Sequence, residues 1–271
     1  MTLALLTCLV VGAVAGLLAG LLGVGGGLVI VPALVWLLPP LGLDPAFTMH
    51  VALATALASI LFTSLSSTRA HWQRHAVGWR EVGWLAPGLL LGAFAGAVFA
   101  AGLSSDTLRL VVAGFCLFAA WQLAYGRVRA VKGDHARPNG PGLSASGVGI
   151  GALSAVVGIG GGSMTVPLLV WHGVVPVRAV ATSAACGFVI AVAGALGWIV
   201  AGHHAPPDFT GMLGYVWWPG ALALGATSVL LAPLGARLAH ALPAITLRRV
   251  FAGFLLLVAL ALAAPVIVAG V

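Results

Sequence analysis

Two glycine runs hold the densest chemistry in this sequence. Gly23-Val24-Gly25-Gly26-Gly27 and Gly158-Ile159-Gly160-Gly161-Gly162 each interrupt a long apolar stretch. Glycine in a helix interior costs about 1 kcal/mol relative to alanine, so several together predict a break. A fresh apolar stretch follows each run, beginning at Leu28 and at Ser163. The first turn of a helix offers unpaired N–H groups and the positive end of its dipole, and both attract an anion. Non-helical backbone is tolerated at membrane depth only where it is buried in protein or lines a cavity. The runs therefore predict an anion site made of backbone, lined by Gly25, Gly26, Gly27, Gly160, Gly161 and Gly162.

Small hydroxyls gather beside the runs. Ser154, Ser163 and Thr165 flank the second break, and Thr55 and Thr182-Ser183 lie on the stretches that follow each break. Each hydroxyl can donate to an oxyanion, although a bond to its own helix's carbonyl competes. The expected substrate-binding set is thus the six glycines with Ser163, Thr55, Thr182 and Ser183. Leu28 and Ile30 stand in the first half where Ser163 and Thr165 stand in the second, so the site is expected to be asymmetric.

Other chemistries find little support. No Asp, Glu, Lys or Arg clearly lies at mid-membrane depth, whereas a proton pump or cation carrier is expected to carry an intramembrane carboxylate. Within the membrane segments there is no metal-ligand pair at helical spacing, no carboxylate pair and no Ser–His pair on adjoining turns, so catalytic residues, a metal and a cofactor are not expected. The glycine runs lack the preceding strand and acidic partner of a dinucleotide fingerprint, and the lysine of a phosphate loop. Cys8, Cys116 and Cys186 are few, scattered and embedded in apolar runs, as small core residues are. His50 and His172 border apolar runs, where gating or proton coupling competes with interfacial packing. His203-His204 shares a Pro-rich loop with Asp208, a place for stray metal binding without function.

The elements that must position these residues are membrane helices. Apolar residues make up 61% of the 271 and charged ones 6%, with mean hydropathy +1.15, where soluble domains carry about a quarter charged residues. Apolar runs cover 3–22, 28–38, 51–68, 82–103, 107–126, 144–159, 163–175, 179–202, 213–240 and 247–270. The longer ones reach the roughly 20 residues that cross a bilayer. No basic residue precedes 3–22 and more apolar runs follow it, unlike a cleaved signal peptide. The expected fold is an all-α polytopic membrane protein of about eight segments with no soluble domain. The sequence pI of about 10.7 does not indicate nucleic acid, because the cations sit in loops between apolar runs. Trp79, Trp84, Trp217 and Trp218 are expected at the membrane interfaces.

The chain is duplicated. Residues 20–36 align with 155–171, placing Gly25, Gly26, Gly27, Pro32 and Trp36 on Gly160, Gly161, Gly162, Pro167 and Trp171. Ala54-Thr55 matches Ala181-Thr182, and Thr107-Leu108-Arg109 matches Thr246-Leu247-Arg248. Two membrane repeats follow, 1–126 and 144–271, joined by the hydrophilic linker 127–143. If every segment crossed once, the twelve Lys and Arg would divide seven against five. If 3–38 and 144–175 instead each bend back to the side they entered, all but Arg109 fall on one side. The positive-inside rule favours the second arrangement: two inverted-topology repeats, each with a Gly-broken or re-entrant first helix plus three transmembrane helices. The linker is then cytoplasmic and both termini lie outside. A straight helix over 3–38 would run about 54 Å, too long for a core of about 30 Å.

These motifs resemble the sulfite exporter TauE/SafE family. The resemblance rests on GLLGVGGGLVIVPAL and VVGIGGGSMTVPLLV, on the Ala-Thr-Ala and Ala-Thr-Ser stretches after them, and on Trp79-Arg80. Thr55-Ala56 departs from the Thr-Ser pair seen at Thr182-Ser183. The resemblance implies movement of sulfite, sulfoacetate or related organic anions across a bacterial inner membrane, with the glycines at the motif positions. The expected function is secondary transport, exporting a small sulfur-containing anion held at the midplane. A passive anion channel would share the site; an intramembrane enzyme has less support. The expected partners are the anion and the lipid bilayer, with a homodimer and proton coupling left open.

Overall fold

The computed structural model describes residues 2–22, 26–125, 140–204, 209–239 and 244–269. Gly25, most of the linker and Asp208 lie outside these. Ten α-helices are seen among the described residues: α1 Thr2–Leu22, α2 Gly27–Leu37, α3 Thr48–Trp72, α4 Trp79–Ala101, α5 Ser105–Tyr125, α6 Pro141–Val157, α7 Gly162–Trp171, α8 Pro176–Ala201, α9 Trp218–Ala239 and α10 Ala244–Ala269. A two-stranded hairpin, β1 Met212–Leu213 with β2 Val216–Trp217, precedes α9. Seven of these helices are long and apolar enough to cross a membrane; α2, α6 and α7 are shorter apolar helices. The chain is an all-α polytopic membrane protein.

The helix ends follow local chemistry. Proline opens α6 and α8, where its missing N–H costs nothing and its fixed φ already suits the helix. Ahead of α3, the Asp44 carboxylate accepts the Ala46 N–H at 2.8 Å and caps the short turn Pro45–Phe47. α6 ends at Gly158 in the left-handed region, φ 75°, where a side chain would be strained.

Both short helices begin against an earlier turn of the helix that precedes them. Gly26, at the start of α2, lies against Ala15 of α1, a β-carbon on Gly26 falling 3.1 Å from the Ala15 Cβ. Eleven residues of continuous helix would hold those positions about 16 Å apart. The same spacing recurs after α6, where Ser154 and Thr165 border one spot: a β-carbon on Gly161 would lie 3.4 Å from the Ser154 Oγ and 3.5 Å from the Thr165 Oγ1.

Packing between helices depends on small residues, as expected where lipid supplies no hydrophobic drive for helix association. α4 and α6 run parallel in backbone contact. A β-carbon on Gly92 would collide with the Val148 carbonyl, and one on Gly96 would come 2.6 Å from the Ala152 carbonyl oxygen. α1 and α9 make the equivalent parallel pair: Gly16 faces Ser228, whose hydroxyl donates to the Gly12 carbonyl at 2.7 Å. α3 runs antiparallel to α8, with His50 meeting Trp198 (ring centroids 5.9 Å apart) and Leu57 meeting Gly194. α4 runs parallel to α8, and α3 to α9. Each half thus packs its first helix on the fourth helix of the other.

Candidate functional site

The start of α2 meets the second break in the core. A β-carbon on Gly27, the first residue of α2, would drive into the carbonyl of Gly158 and lie 3.2 Å from the Ile159 Cα. The start of α2 therefore abuts the turn between α6 and α7. Around that turn stand Val31 of α2, Leu53 and Ile60 of α3, and Ile190 of α8. Leu53 and Ile190 are fully buried, and Val31 and Ile60 nearly so.

Both helix starts present leading N–H groups that their own helix cannot satisfy. The Gly26 carbonyl accepts from Val29 and Ile30 N–H at 3.0 Å each, and the Gly161 carbonyl accepts from Met164 at 3.1 Å and Thr165 at 2.8 Å. The N–H groups ahead of these have no acceptor within their own helix. Gly161 sits at φ 71°, a left-handed position directly ahead of α7, which glycine adopts without strain. Gly162 is buried as the first residue of α7, and Gly160 packs against Ile60 and Gly187.

The hydroxyls divide into three groups. Ser183 donates to the Val180 carbonyl of its own helix at 2.9 Å, as do Ser59, Thr63, Ser64 and Thr227 to theirs. Thr55 and Thr182 do something else: each oxygen accepts a backbone N–H from another helix's approach, Trp217 for Thr55 and Gly78 for Thr182, both at 3.0 Å. Their protons remain free to donate. The third group is unpaired. The hydroxyls of Ser154, Ser163 and Thr165 are buried with no hydrogen-bond partner, and Ser154 and Thr165 are 0% exposed.

Two residues differ from their sequence-based placement. Glu81, which the sequence leaves just outside the apolar run 82–103, is 3% exposed in the first turn of α4, its carboxylate against Gly78 and beside the Thr182 hydroxyl. The small β-hairpin and Thr55 draw Trp217, expected at an interface, into the core, where it is fully buried. Trp79 and Trp84 are exposed on the helix surface. No signal in the local sequence marks either burial, because both depend on partners more than a hundred residues away.

His50 is 4% exposed inside a cluster of rings with Phe47, Trp198 and Tyr215, and its Nε2 lies 3.0 Å from the Leu103 carbonyl oxygen. Tyr215, on the hairpin turn, has its phenol pushed up by burial. His172 pairs through Nδ1 with the Leu168 carbonyl at 2.8 Å and packs against Trp171 at the end of α7. His203 and His204 belong to a short turn after α8. No cluster of three metal-ligating side chains occurs among the described residues, and the cysteines are free and buried.

A bundle of crossing helices folded around two interior helix starts defines a polytopic membrane transporter. The chain belongs to the sulfite exporter TauE/SafE family, whose profile matches residues 8–262. It is 36% identical over 261 residues to a probable membrane transporter protein of Haemophilus influenzae, covering 94% of this chain and 97% of that one. A probable membrane transporter protein of Bacillus subtilis is 31% identical over 217 residues, 72% of this chain and 78% of the relative. Another from Methanocaldococcus jannaschii is 24% identical over 233 residues, 85% and 84% of the two chains. No solved structure gives a significant match.

Proposed function

We propose that the protein is a secondary transporter exporting a small sulfur-containing anion, sulfite or an organosulfonate such as sulfoacetate, across the bacterial inner membrane. The anion is held where the two glycine breaks converge, by the leading N–H groups of α2 and α7. The observation that carries this reading is the contact between Gly27 and Gly158, which brings one helix start against the other break. A helix N-terminus stabilises an anion by about 0.3–1 kcal/mol when exposed and up to about 2 kcal/mol when partly buried. Thr55, Thr182 and Ser183 belong to the helices that wall the site.

Residues 1–126 and 144–271 form inverted repeats joined by the 127–143 linker. The antiparallel course of the equivalent helices α3 and α8 supports this. With the positive-inside rule, the linker faces the cytoplasm and both termini face outward. Rocking of one repeat against the other would then expose the site to each side alternately.

The test is flux in proteoliposomes. Sulfite and C2–C3 sulfonates should show saturable transport accelerated by substrate on the opposite side, with sulfate and carboxylates compared alongside. Flux without saturation or trans-stimulation would instead describe a passive channel. Absence of anion flux from folded, inserted protein would sink the reading.

A further inference from the structure

Among the described residues Glu81 is the one Asp, Glu, Lys or Arg that is buried. It lies within the span Trp79–Ala101, which is long and apolar enough to cross the membrane. Its carboxylate stands against Gly78 and beside the Thr182 hydroxyl. Among the described residues it forms no ion pair and accepts no hydrogen bond. A buried charge without a partner is costly. Carboxylates inside membrane spans are rare for that reason, and they mark proton and ion pathways.

The helix start does not need this carboxylate. A glutamate at the third helical position commonly accepts the N–H of the residue that caps the helix. Here the Gly78 N–H goes to the Thr182 Oγ1 instead, at 3.0 Å. The other repeat builds the same junction with no carboxylate at all. Thr55 accepts the Trp217 N–H ahead of α9 just as Thr182 accepts that of Gly78 ahead of α4. Counting on from each capped residue, Gly220 takes the place of Glu81. The Trp217 ring fills the space beside Gly220, where a β-carbon would collide with it. An apolar ring thus serves the fold where the first repeat keeps an unpaired carboxylate.

The carboxylate is also near the second break. Gly187 of α8 packs on Gly160, and Thr182 stands five residues earlier on that helix, about 7.5 Å along its axis. Few charged groups surround it. On α8, Arg178 lies one turn before Thr182, and its Nε is buried without a partner. On α6, the residues that meet α4 are uncharged: Ser144, Gly147, Val148, Gly151 and Ala152. Arg80 on α4 itself is exposed, as are Arg74 and His75 ahead of it, and His71 ends α3 half-buried.

Resting on the anion site proposed above, we propose that Glu81 is the proton-binding residue of the transport cycle. The anion binds tightly only when Glu81 carries a proton. A charged Glu81 about 10 Å from the anion would weaken its binding about tenfold at an effective dielectric of about 20. Protonation removes that repulsion. Anion and proton therefore favour each other's binding, and by linkage the preference is mutual. The proton is taken from solvent as the anion enters the site and returns to solvent as it leaves.

The experiment is calorimetric titration of ethanesulfonate into the purified full chain. Ethanesulfonate is the anion of a strong acid, so it brings no titration of its own. Heats measured in two buffers of different ionisation enthalpy give the protons taken up on binding. The native chain should take up protons as it binds, and its affinity should fall about tenfold from acidic to alkaline buffer. Glu81→Gln keeps the side chain's shape and removes its charge, with melting in detergent as the check on folding. It should bind in alkaline buffer as tightly as the native chain does in acid, with the proton uptake gone. Glu81→Met, a second neutral variant of similar volume, should behave alike and serves if glutamine does not fold. Proton uptake and pH dependence that persist in a folded neutral variant would assign the effect to another group and overturn the proposal. Native binding that takes up no proton and ignores pH would overturn it too, while leaving the anion site standing. No ethanesulfonate binding in any buffer would remove the anion site and the proton role with it.

Discussion

Thr182 of α8 accepts the backbone N–H of Gly78, immediately before α4, at 3.0 Å. Thr55 of α3 accepts that of Trp217, immediately before α9, at the same distance. The duplicated Ala-Thr pair therefore caps the approach to a helix of the other repeat, where Gly78 itself brings no capping side chain. Buried N–H groups have no water to turn to. Thr55→Val and Thr182→Val should each lower stability by about 1–3 kcal/mol, read as a fall in melting temperature in detergent. Thr→Ser at either position should restore most of it. Melting unchanged by either valine would mean that the contacts are dispensable.

The inverted arrangement predicts which loops share a face of the membrane. Gln73, after α3, and Val175, before α8, are both exposed. Single cysteines there should both react with an impermeant maleimide from the cytoplasmic side. Cysteines at Ala46 and Gly211 should react from outside. Gln73 and Val175 on opposite faces would restore parallel repeats with single crossings.

Much of the helix layout is legible in composition and pattern. Helix positions and the two breaks follow from apolar length and from the cost of glycine in a helix, both local properties. The divergent fates of the hydroxyls were not legible. Ser183 and Thr182 are adjacent in sequence, yet one bonds its own helix and the other caps a helix start more than a hundred residues distant. Glu81 follows Arg80 and precedes an apolar run, which reads as a loop charge. Its burial arises because α4 lies against α8 from its first turn. The Trp217 burial likewise depends on the hairpin and on Thr55, and neither leaves a periodic trace.

Loop charge has a separate test. If the cations of the 127–143 linker only set topology, replacing Arg127, Arg129 and Lys132 together with Gln should leave flux unchanged. If they gather anions at the cytoplasmic mouth, the apparent KM should rise, and the difference should fade at high salt as the field is screened. Flux measured at low and high ionic strength decides between them.

Gly161 and Gly92 separate site from scaffold. Gly161 stands at φ 71°, and a β-carbon there would press on the Ile190 Cδ1 and fill the spot faced by Ser154 and Thr165. The left-handed conformation alone costs a side chain about 1–2 kcal/mol. That is tolerable within a fold stabilised by about 5–15 kcal/mol. Gly161→Leu should therefore insert and purify as a folded protein yet lose transport. Gly161→Ala, adding one methyl, should slow the larger sulfonates more than sulfite. Gly92 faces no cavity: its neighbour is the Val148 carbonyl of α6, and a side chain would force two parallel helices apart. Gly92→Leu should therefore reduce yield and melting temperature at least as much as flux. A folded Gly161→Leu that transports at the native rate would make the breaks packing features, and the substrate path would then be sought first along Thr55 and Thr182.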